Sequence, residues 1–462
     1  MKKFIGDKAF YKMVLLIAVP IMVQNGLTTF VSLLDNIMVG QVGTNEMSGV
    51  AIVNQLIMVF NVTIFGGMSG VGIFTAQYYG SGDEDGVRYT VRLKIAVALV
   101  LIALWFVIFG FRGDSLIQLF IHGESSGTDA AATFEYASTY LKMMMAGLIP
   151  YAFTQAYGAT LRETGETVVP MKAGMVALVV NLVLDYGLIF GKFGLPKMGV
   201  FGAALATVLA RLAECAVVII WTHTHLEQRP FMRHLYASMH VPTSMIKDVV
   251  KKGTPLLLNE AMWSGGMAVL TQCYSTRGLA VIAGINIAGT VSNFFSVVYL
   301  AMGSAIAIIV GQLLGAGKME EAVDTDRKLI FFSVASCAVM AVLMAVIAAP
   351  FFPQIYNTTA EVKQIAKHII WVLAFIMPVN AFIHATYFTL RSGGKTIITF
   401  FFDSFYLWVV DVTAAFLQTH YTDWNIVLIY FLVQLFEFIK CGIGYVLVKK
   451  GVWLNNMTQT AS

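Results

Sequence analysis

Long apolar stretches alternate with short polar breaks along the whole 462-residue chain. Each stretch is near or above about twenty residues, the length of a helix that crosses a ~30 Å hydrocarbon layer. The pattern predicts an all-α integral membrane fold of twelve transmembrane helices, near residues 13–39, 47–79, 90–111, 133–160, 168–191, 199–222, 248–275, 280–315, 329–352, 362–390, 396–419 and 424–448. The longest runs exceed one bilayer crossing, so part of each should protrude, tilt or form a connecting turn.

Composition supports the same class. Hydrophobic residues make up 58% of the chain and charged residues 12%, about half the charged fraction usual for a soluble domain. The first stretch follows several lysines and resembles a signal peptide, but it is much longer than the apolar region of one. We therefore keep it as the first membrane helix.

The distribution of lysine and arginine predicts the orientation. An even number of spans places both termini on one side, and with that side cytoplasmic the inner segments hold 22 basic residues and the outer segments six. The sequence therefore predicts a multi-pass protein of the cell membrane with cytoplasmic termini. The net charge of +4 follows from this asymmetry, so no nucleic-acid partner is expected.

Short motifs recur in the same order in the two halves of the chain. The matched pairs are Pro20 with Pro255, Gln77–Gly82 with Gln312–Gly317, and Leu161–Gly165 with Leu390–Gly394. Three ordered matches indicate a duplication, in which two six-helix lobes enter the membrane in the same direction and are related by a pseudo-two-fold axis along the membrane normal. The predicted lobes are residues 1–222 and 248–462, joined by a cytoplasmic loop at 223–247.

Several of these motifs together resemble the multidrug and toxic compound extrusion (MATE) family, and the likeness covers nearly the whole chain. They are Pro20, Asp35–Gly40, Gln77–Gly82, Asn181–Asp185 and Gly199–Thr207. The resemblance implies twelve helices in two lobes and export of drugs or metabolites against entry of protons or sodium. It also implies a cation site in the N-terminal lobe formed by Asp35, Asn181, Asp185 and Thr207.

The C-terminal lobe departs from the family pattern. The sodium-coupled branch implies a carboxylate pair on spans seven and ten. Here Glu260 stands three residues earlier than expected from Pro255, and Asn380 takes the place of an aspartate. The N-terminal lobe is therefore the better candidate for a sodium site.

The acidic residues inside the spans support that choice on physical grounds. A carboxylate at the bilayer centre costs roughly 2.5–3.5 kcal/mol, so it needs a partner, water or a proton. Asn181 and Asp185 are four residues apart and share a helix face, and counting from the helix ends places Asp35 and Asp185 at similar depth. Two adjacent carboxylates can share a proton, whereas carboxylate, amide and hydroxyl oxygens together suit sodium. Both ions remain open, and hydrogen bonding between packed helices is the structural alternative.

Other charged residues in the spans receive weaker assignments. Glu260 and Asp403 are expected about 10–12 Å from the cytoplasmic edge, where they would attract organic cations to an inward-facing cavity or simply pack between helices. Two pairs at i,i+3 spacing are expected to neutralise each other, Arg211 with Glu214 and Glu437 with Lys440. Lys142 and Asp411 have no partner nearby in sequence, and their roles stay open.

The expected function is antiport: a cation-coupled exporter of bulky, largely cationic organic compounds that works as a monomer within membrane lipid. Cation entry would neutralise Asp35 and Asp185 and repack the first helix near Pro20, a hinge candidate because proline lacks a helix hydrogen bond. No cofactor is expected besides H⁺ or Na⁺, and no other metal.

Three alternative functions make different demands on the sequence. A flippase of lipid-linked substrates with similar architecture should carry basic residues in its central cavity to hold pyrophosphate, whereas acids predominate inside these spans. A membrane-embedded enzyme would need clustered metal ligands such as HExxH, and the sequence contains none. The chain is therefore not expected to be an enzyme. A channel would conduct without a coupled gradient.

Overall fold

A computed structural model describes residues 4–121 and 129–458. The described part is built of twelve long helices, whose bounds are α1 Lys8–Gly40, α2 Thr44–Ser81, α3 Glu84–Gln118, α4 Ala130–Glu163, α5 Val168–Phe190, α6 Gly199–Thr224, α7 Thr243–Ser275, α8 Leu279–Gly315, α9 Met319–Ile355, α10 Ala360–Ser392, α11 Thr396–Tyr421 and α12 Ile426–Lys449. Each predicted span corresponds to one of these helices, so the predicted all-α fold is confirmed. Most of the helices extend past a predicted end, the largest difference being at α9, which begins at Met319 instead of residue 329.

The helix ends follow local sequence signals. Asp129 accepts hydrogen bonds from the backbone of Ala131 and Ala132 before α4, and Asn425 accepts one from Val427 before α12. Within the described residues, ten of the twelve helices are long and apolar enough to cross a membrane, α4 and α7 being the other two. The protein is therefore a multi-pass membrane protein.

The predicted duplication is visible in the backbone. Gly82 after α2 and Gly317 after α8 have φ angles of +77° and +73°, and Gly165 after α4 and Gly394 after α10 have +86° and +70°. Only glycine adopts this left-handed conformation without a steric cost. The repeated glycines therefore end corresponding helices in the two halves.

Internal prolines show the same correspondence. Four of them lie in the first and fourth helices of each half, as Pro20 in α1, Pro150 in α4, Pro255 in α7 and Pro378 in α10. Each helix continues through its proline, although the ring removes one backbone hydrogen bond.

The chain divides into two compact units. Unit one comprises Met1–Met22, Ala76–Asp83 and Lys247–Ser462, and unit two comprises Val23–Thr75 and Glu84–Ile246. Unit two ends at Ile246, and the first two segments of unit one come from within the predicted lobe 1–222. The division into lobes 1–222 and 248–462 stays a prediction.

Packing explains why these two segments belong to unit one. Val14 and Ala18 of α1 lie in a buried core with Met302 and Ile306 of α8. The side chain of Gln77 donates hydrogen bonds to the carbonyls of Ser392 and Asn455 and accepts one from the Met457 amide. The loop predicted at 223–247 has its short 3₁₀ turn, Pro230–Met232, within unit two.

Candidate cation site and cavity

A cavity of about 440 Å³ lies inside unit two, among α1, α2, α4, α5 and α6. Its walls carry Asp35, Asn181 and Thr207, three of the four residues predicted for the cation site. The fourth, Asp185, does not line the cavity and is only 1% exposed. The structure thus brings the predicted residues of three helices into one region.

Asp35 of α1 and Asp185 of α5 lie beside each other in this region, as their similar depth in the helices predicts. Asp185 is buried behind Asp35, while Asp35 is half-buried at the cavity wall. Neither carboxylate oxygen of Asp185, nor Oδ1 of Asp35, receives a hydrogen bond of regular geometry in the described structure. Two adjacent carboxyl groups without hydrogen-bond donors cannot both be ionised in apolar surroundings without a large free-energy cost.

Asn181 and Thr207 add neutral oxygens to this pair. Asn181 is buried one helical turn before Asp185, and its Oδ1 also has no regular hydrogen bond among the described residues. Thr207 donates its hydroxyl to the Ala203 carbonyl at 3.0 Å, and a hydroxyl oxygen that donates can still accept or bind a cation. The buried Tyr140 lies close to Asp35 and Thr207.

The resulting site is rich in acceptors and poor in donors. A positive charge is needed to stabilise it, supplied either by a shared proton or by a hard cation such as sodium, which prefers oxygen ligands. The geometry therefore suits a cation site of the predicted kind, and either a proton or a sodium ion could occupy it.

Arg211 and Glu214 of α6 also line the cavity, which the sequence did not predict. The Arg211 guanidinium lies over the Tyr151 ring, 4.9 Å from its centroid, and donates to the Gly147 carbonyl at 3.3 Å. Arg211 and Glu214 are electrostatic neighbours, as their spacing predicts, but no ion pair within 4.0 Å joins them in the described structure. The spacing permits such a pair, but the aromatic ring and carbonyl hold Arg211 elsewhere.

The predicted acids of the C-terminal lobe form a separate network within unit one. The Asn259 amide donates to Asp403 at 3.0 Å and to the Tyr387 hydroxyl at 3.3 Å, and that hydroxyl donates to Glu260 at 3.5 Å. Glu260 and Asp403 are thus brought together through Asn259 and Tyr387.

Asp403 has a basic partner that the sequence did not reveal. Lys440 of α12 donates to it at 3.0 Å and lies 4.0 Å from Glu437, its predicted partner. The nearer, tertiary partner was missed because it is 37 residues away in sequence. With its charge matched by a buried lysine, Asp403 contributes little negative potential to a cavity.

The remaining predicted residues lie apart from both networks. Asn380 lies on α10, and no hydrogen bond of its side chain joins it to Glu260 or Asp403 in the part of the chain that is described. Lys142 is exposed on α4. Pro20 is buried in α1, two residues before the helix passes from unit one to unit two at Met22.

Fold and site together define a class: a multi-pass helical membrane protein with an acid-lined internal cavity and two related halves. The family model MatE matches residues 20–187 and 255–417, and the chain belongs to that family of transporters. This confirms the resemblance seen in the sequence, and with it the prediction that the chain is a transporter and not an enzyme.

Individual proteins agree with this assignment. The chain is 25% identical over 415 residues to a probable multidrug resistance protein NorM from Thermotoga maritima, covering 88% of this chain and 85% of the relative. It is 25% identical over 425 residues to a protein of the same name from Halalkalibacterium halodurans, covering 89% and 88%. A crystal structure of a mutant of the Vibrio cholerae MATE transporter VcmN superposes with a TM-score of 0.86 at 18% identity, covering 98% of both chains.

Proposed function

We propose that the protein is an antiporter that exports bulky, largely cationic organic compounds in exchange for H⁺ or Na⁺ bound at Asp35, Asn181, Asp185 and Thr207. The observation that carries this proposal is the adjacent Asp35 and Asp185, since three of their four carboxyl oxygens have no hydrogen bond in the described structure and Asp35 lies at the wall of a 440 Å³ cavity. Two relatives that cover most of the chain are named as multidrug resistance proteins, which supports the same activity.

Occupation by a cation changes the electrostatics of the cavity wall. With the site empty, Asp35 and Asp185 repel each other and attract a cationic compound into the cavity. A proton or sodium ion removes that attraction, so the cation and the substrate should bind competitively. Competition of this kind converts entry of the ion into expulsion of the compound.

The lining of the cavity favours a positively charged aromatic or alkyl substrate. Its charged side chains are Asp35, Glu214 and Arg211, so acids exceed bases by one, and Tyr140 and Tyr151 present ring faces that attract cations. A flippase of pyrophosphate-linked lipids would need the opposite balance of charge, so we do not favour it.

Two further features concern the orientation of the chain in the membrane and the helix that bends during transport. Both termini are placed in the cytoplasm by the excess of basic residues in the inner segments. Pro20 supplies a point in α1 at which the helix can bend when Asp35 is neutralised. A monomer suffices for this proposal, because all four site residues lie within unit two.

The test is efflux of ethidium from proteoliposomes containing the full-length protein, driven by an imposed proton gradient or, separately, by a sodium gradient. We expect one gradient to drive efflux in the wild type and neither to drive it in Asp35→Asn. Asp423→Asn, which alters an exposed acid between α11 and α12, is the matched control and should keep wild-type activity. Full efflux by Asp35→Asn would refute the proposal.

A further inference from the structure

Asp411, near the middle of α11, is a buried acid that the proposed mechanism does not use. It is 3% exposed, and neither of its carboxylate oxygens has a hydrogen bond in the described structure. An ionised carboxylate left without donors in a membrane-spanning helix is costly, so such residues usually serve a function.

A second polar group without a partner lies near this carboxyl. Tyr274 of α7 is 2% exposed, its hydroxyl has no hydrogen bond among the described residues, and Asp411 is one of its electrostatic neighbours. Tyr406, whose hydroxyl donates to the Phe436 carbonyl at 2.6 Å, also faces Asp411. A tyrosine hydroxyl can donate to a carboxyl or accept from it, so both protonation states of the acid can be accommodated.

The charged groups around Asp411 are unbalanced. They are Glu437, Lys440 and Asp403, and His384 lies near the last two. Asp411, Glu437 and Asp403 together carry two more negative charges than Lys440 can balance when all three acids are ionised and His384 is neutral. Lys440 is already 3.0 Å from Asp403 and 4.0 Å from Glu437, so Asp411 is the acid without a cation.

The backbone of α11 is unusual at the same place. Two π-helical stretches, Phe401–Phe405 and Leu407–Val412, contain Asp403 and Asp411 respectively. Such wide turns are rare and frequently mark functional sites. In a regular α-helix of 3.6 residues per turn, Asp403 and Asp411, eight residues apart, would point in clearly different directions. The wider π-helical turns bring the two acids closer to the same helix face, which is the face toward α12.

We propose that Asp411, with Tyr274 and Glu437, forms a proton-binding site in unit one that is separate from the Asp35–Asp185 site. A proton is favoured over a metal cation because the ammonium of Lys440 repels a second point charge, whereas a proton removes the charge of Asp411. The two acids of this site lie on α11 and α12, not on the spans seven and ten that the family resemblance implied for a sodium site.

The test is infrared difference spectroscopy of the full-length protein in lipid nanodiscs as the pH is stepped from acidic to alkaline. We expect a protonated-carboxyl band that disappears as the pH rises, that is absent in Asp411→Asn, and that persists in the control Asp423→Asn. The band should also persist in Asp35→Asn/Asp185→Asn, which keeps this result independent of the proposed antiport.

Two further arms keep the proposal open to refutation. Tyr274→Phe retains the acid and removes its neighbouring hydroxyl, so it should shift the frequency of the same band even if Asp411→Asn does not fold. Replacing the pH steps with sodium additions at constant pH should leave the band unchanged. An unaltered spectrum in Asp411→Asn, or loss of the Asp411 band on adding sodium, would overturn the assignment of a proton site.

Discussion

The backbone of Gly80 lies directly against the backbone of Gln312, and Gly315 lies in the same way against Gln77. The two copies of the repeated motif therefore pack on each other reciprocally, within unit one. A Cβ atom at either glycine would collide with a carbonyl group of the opposite helix.

This packing predicts that Gly80→Ala destabilises the protein although alanine favours helices. Overpacking against a backbone carbonyl costs about 1–3 kcal/mol or more, because a carbonyl cannot rotate away as a side chain can. Thermal unfolding in detergent measures the loss. Gly110→Ala on α3, where a Cβ meets nothing within 4 Å, is the control and should be neutral or stabilising by up to about 1 kcal/mol. Equal melting temperatures for the two variants would contradict the close approach.

Gln77 makes three side-chain hydrogen bonds, one to the end of α10 and two to the C-terminal segment. We expect Gln77→Ala to destabilise the protein by about 3 kcal/mol, roughly 1 kcal/mol for each bond to Ser392, Asn455 and Met457. Faster hydrogen exchange confined to the backbone near residues 453–458 is the specific readout. Gln228→Ala, on an exposed loop, should change neither stability nor exchange there.

Lys94 forms a buried ion pair with Glu163 and donates to Thr160 at 3.1 Å. Lys94→Met leaves the Glu163 carboxylate without its ion-pair cation, which we expect to cost about 3–5 kcal/mol. The double variant Lys94→Met/Glu163→Met removes both charges and should recover most of that loss. The melting temperatures of the two variants are compared. A double variant no more stable than Lys94→Met would show that the unpaired Glu163 charge is not the cause of the stability loss.

Thr207 separates the two candidate ions. Thr207→Val keeps the side-chain shape and removes one oxygen at the site, so it should weaken efflux driven by sodium about tenfold, equivalent to ~1.4 kcal/mol of ion binding. Efflux driven by protons should stay near the wild-type rate because the acids remain. Ethidium efflux is measured under the gradient that drives the wild-type protein, and an unchanged rate under a sodium gradient, or a tenfold loss under a proton gradient, would contradict the assignment of Thr207 as a sodium ligand.

Much of the fold could be predicted because the length of an apolar run is set by the bilayer and is visible in one sequence. The Asn181–Asp185 spacing likewise predicts a shared face without tertiary information. The turns at Gly82 and Gly317 belong to a motif that is repeated in the sequence, so their correspondence could be predicted without backbone angles.

Tertiary partners could not be predicted in the same way. Lys440 has an acid at i−3, yet its nearer partner is Asp403 on another helix. Arg211 has an acid at i+3, yet it lies over Tyr151. Helical spacing shows which side chains can meet, whereas packing between helices decides which of them do.

The central claim is that a cation bound at Asp35 and Asp185 leaves the site as the substrate enters. Its most direct test is the ion flux that ethidium elicits in proteoliposomes without any imposed gradient, followed with an internal pH dye and with ²²Na⁺. The account predicts that ethidium drives movement of one of these ions in the wild type and of neither in Asp35→Asn/Asp185→Asn. Ion movement of wild-type size in the double variant would contradict it.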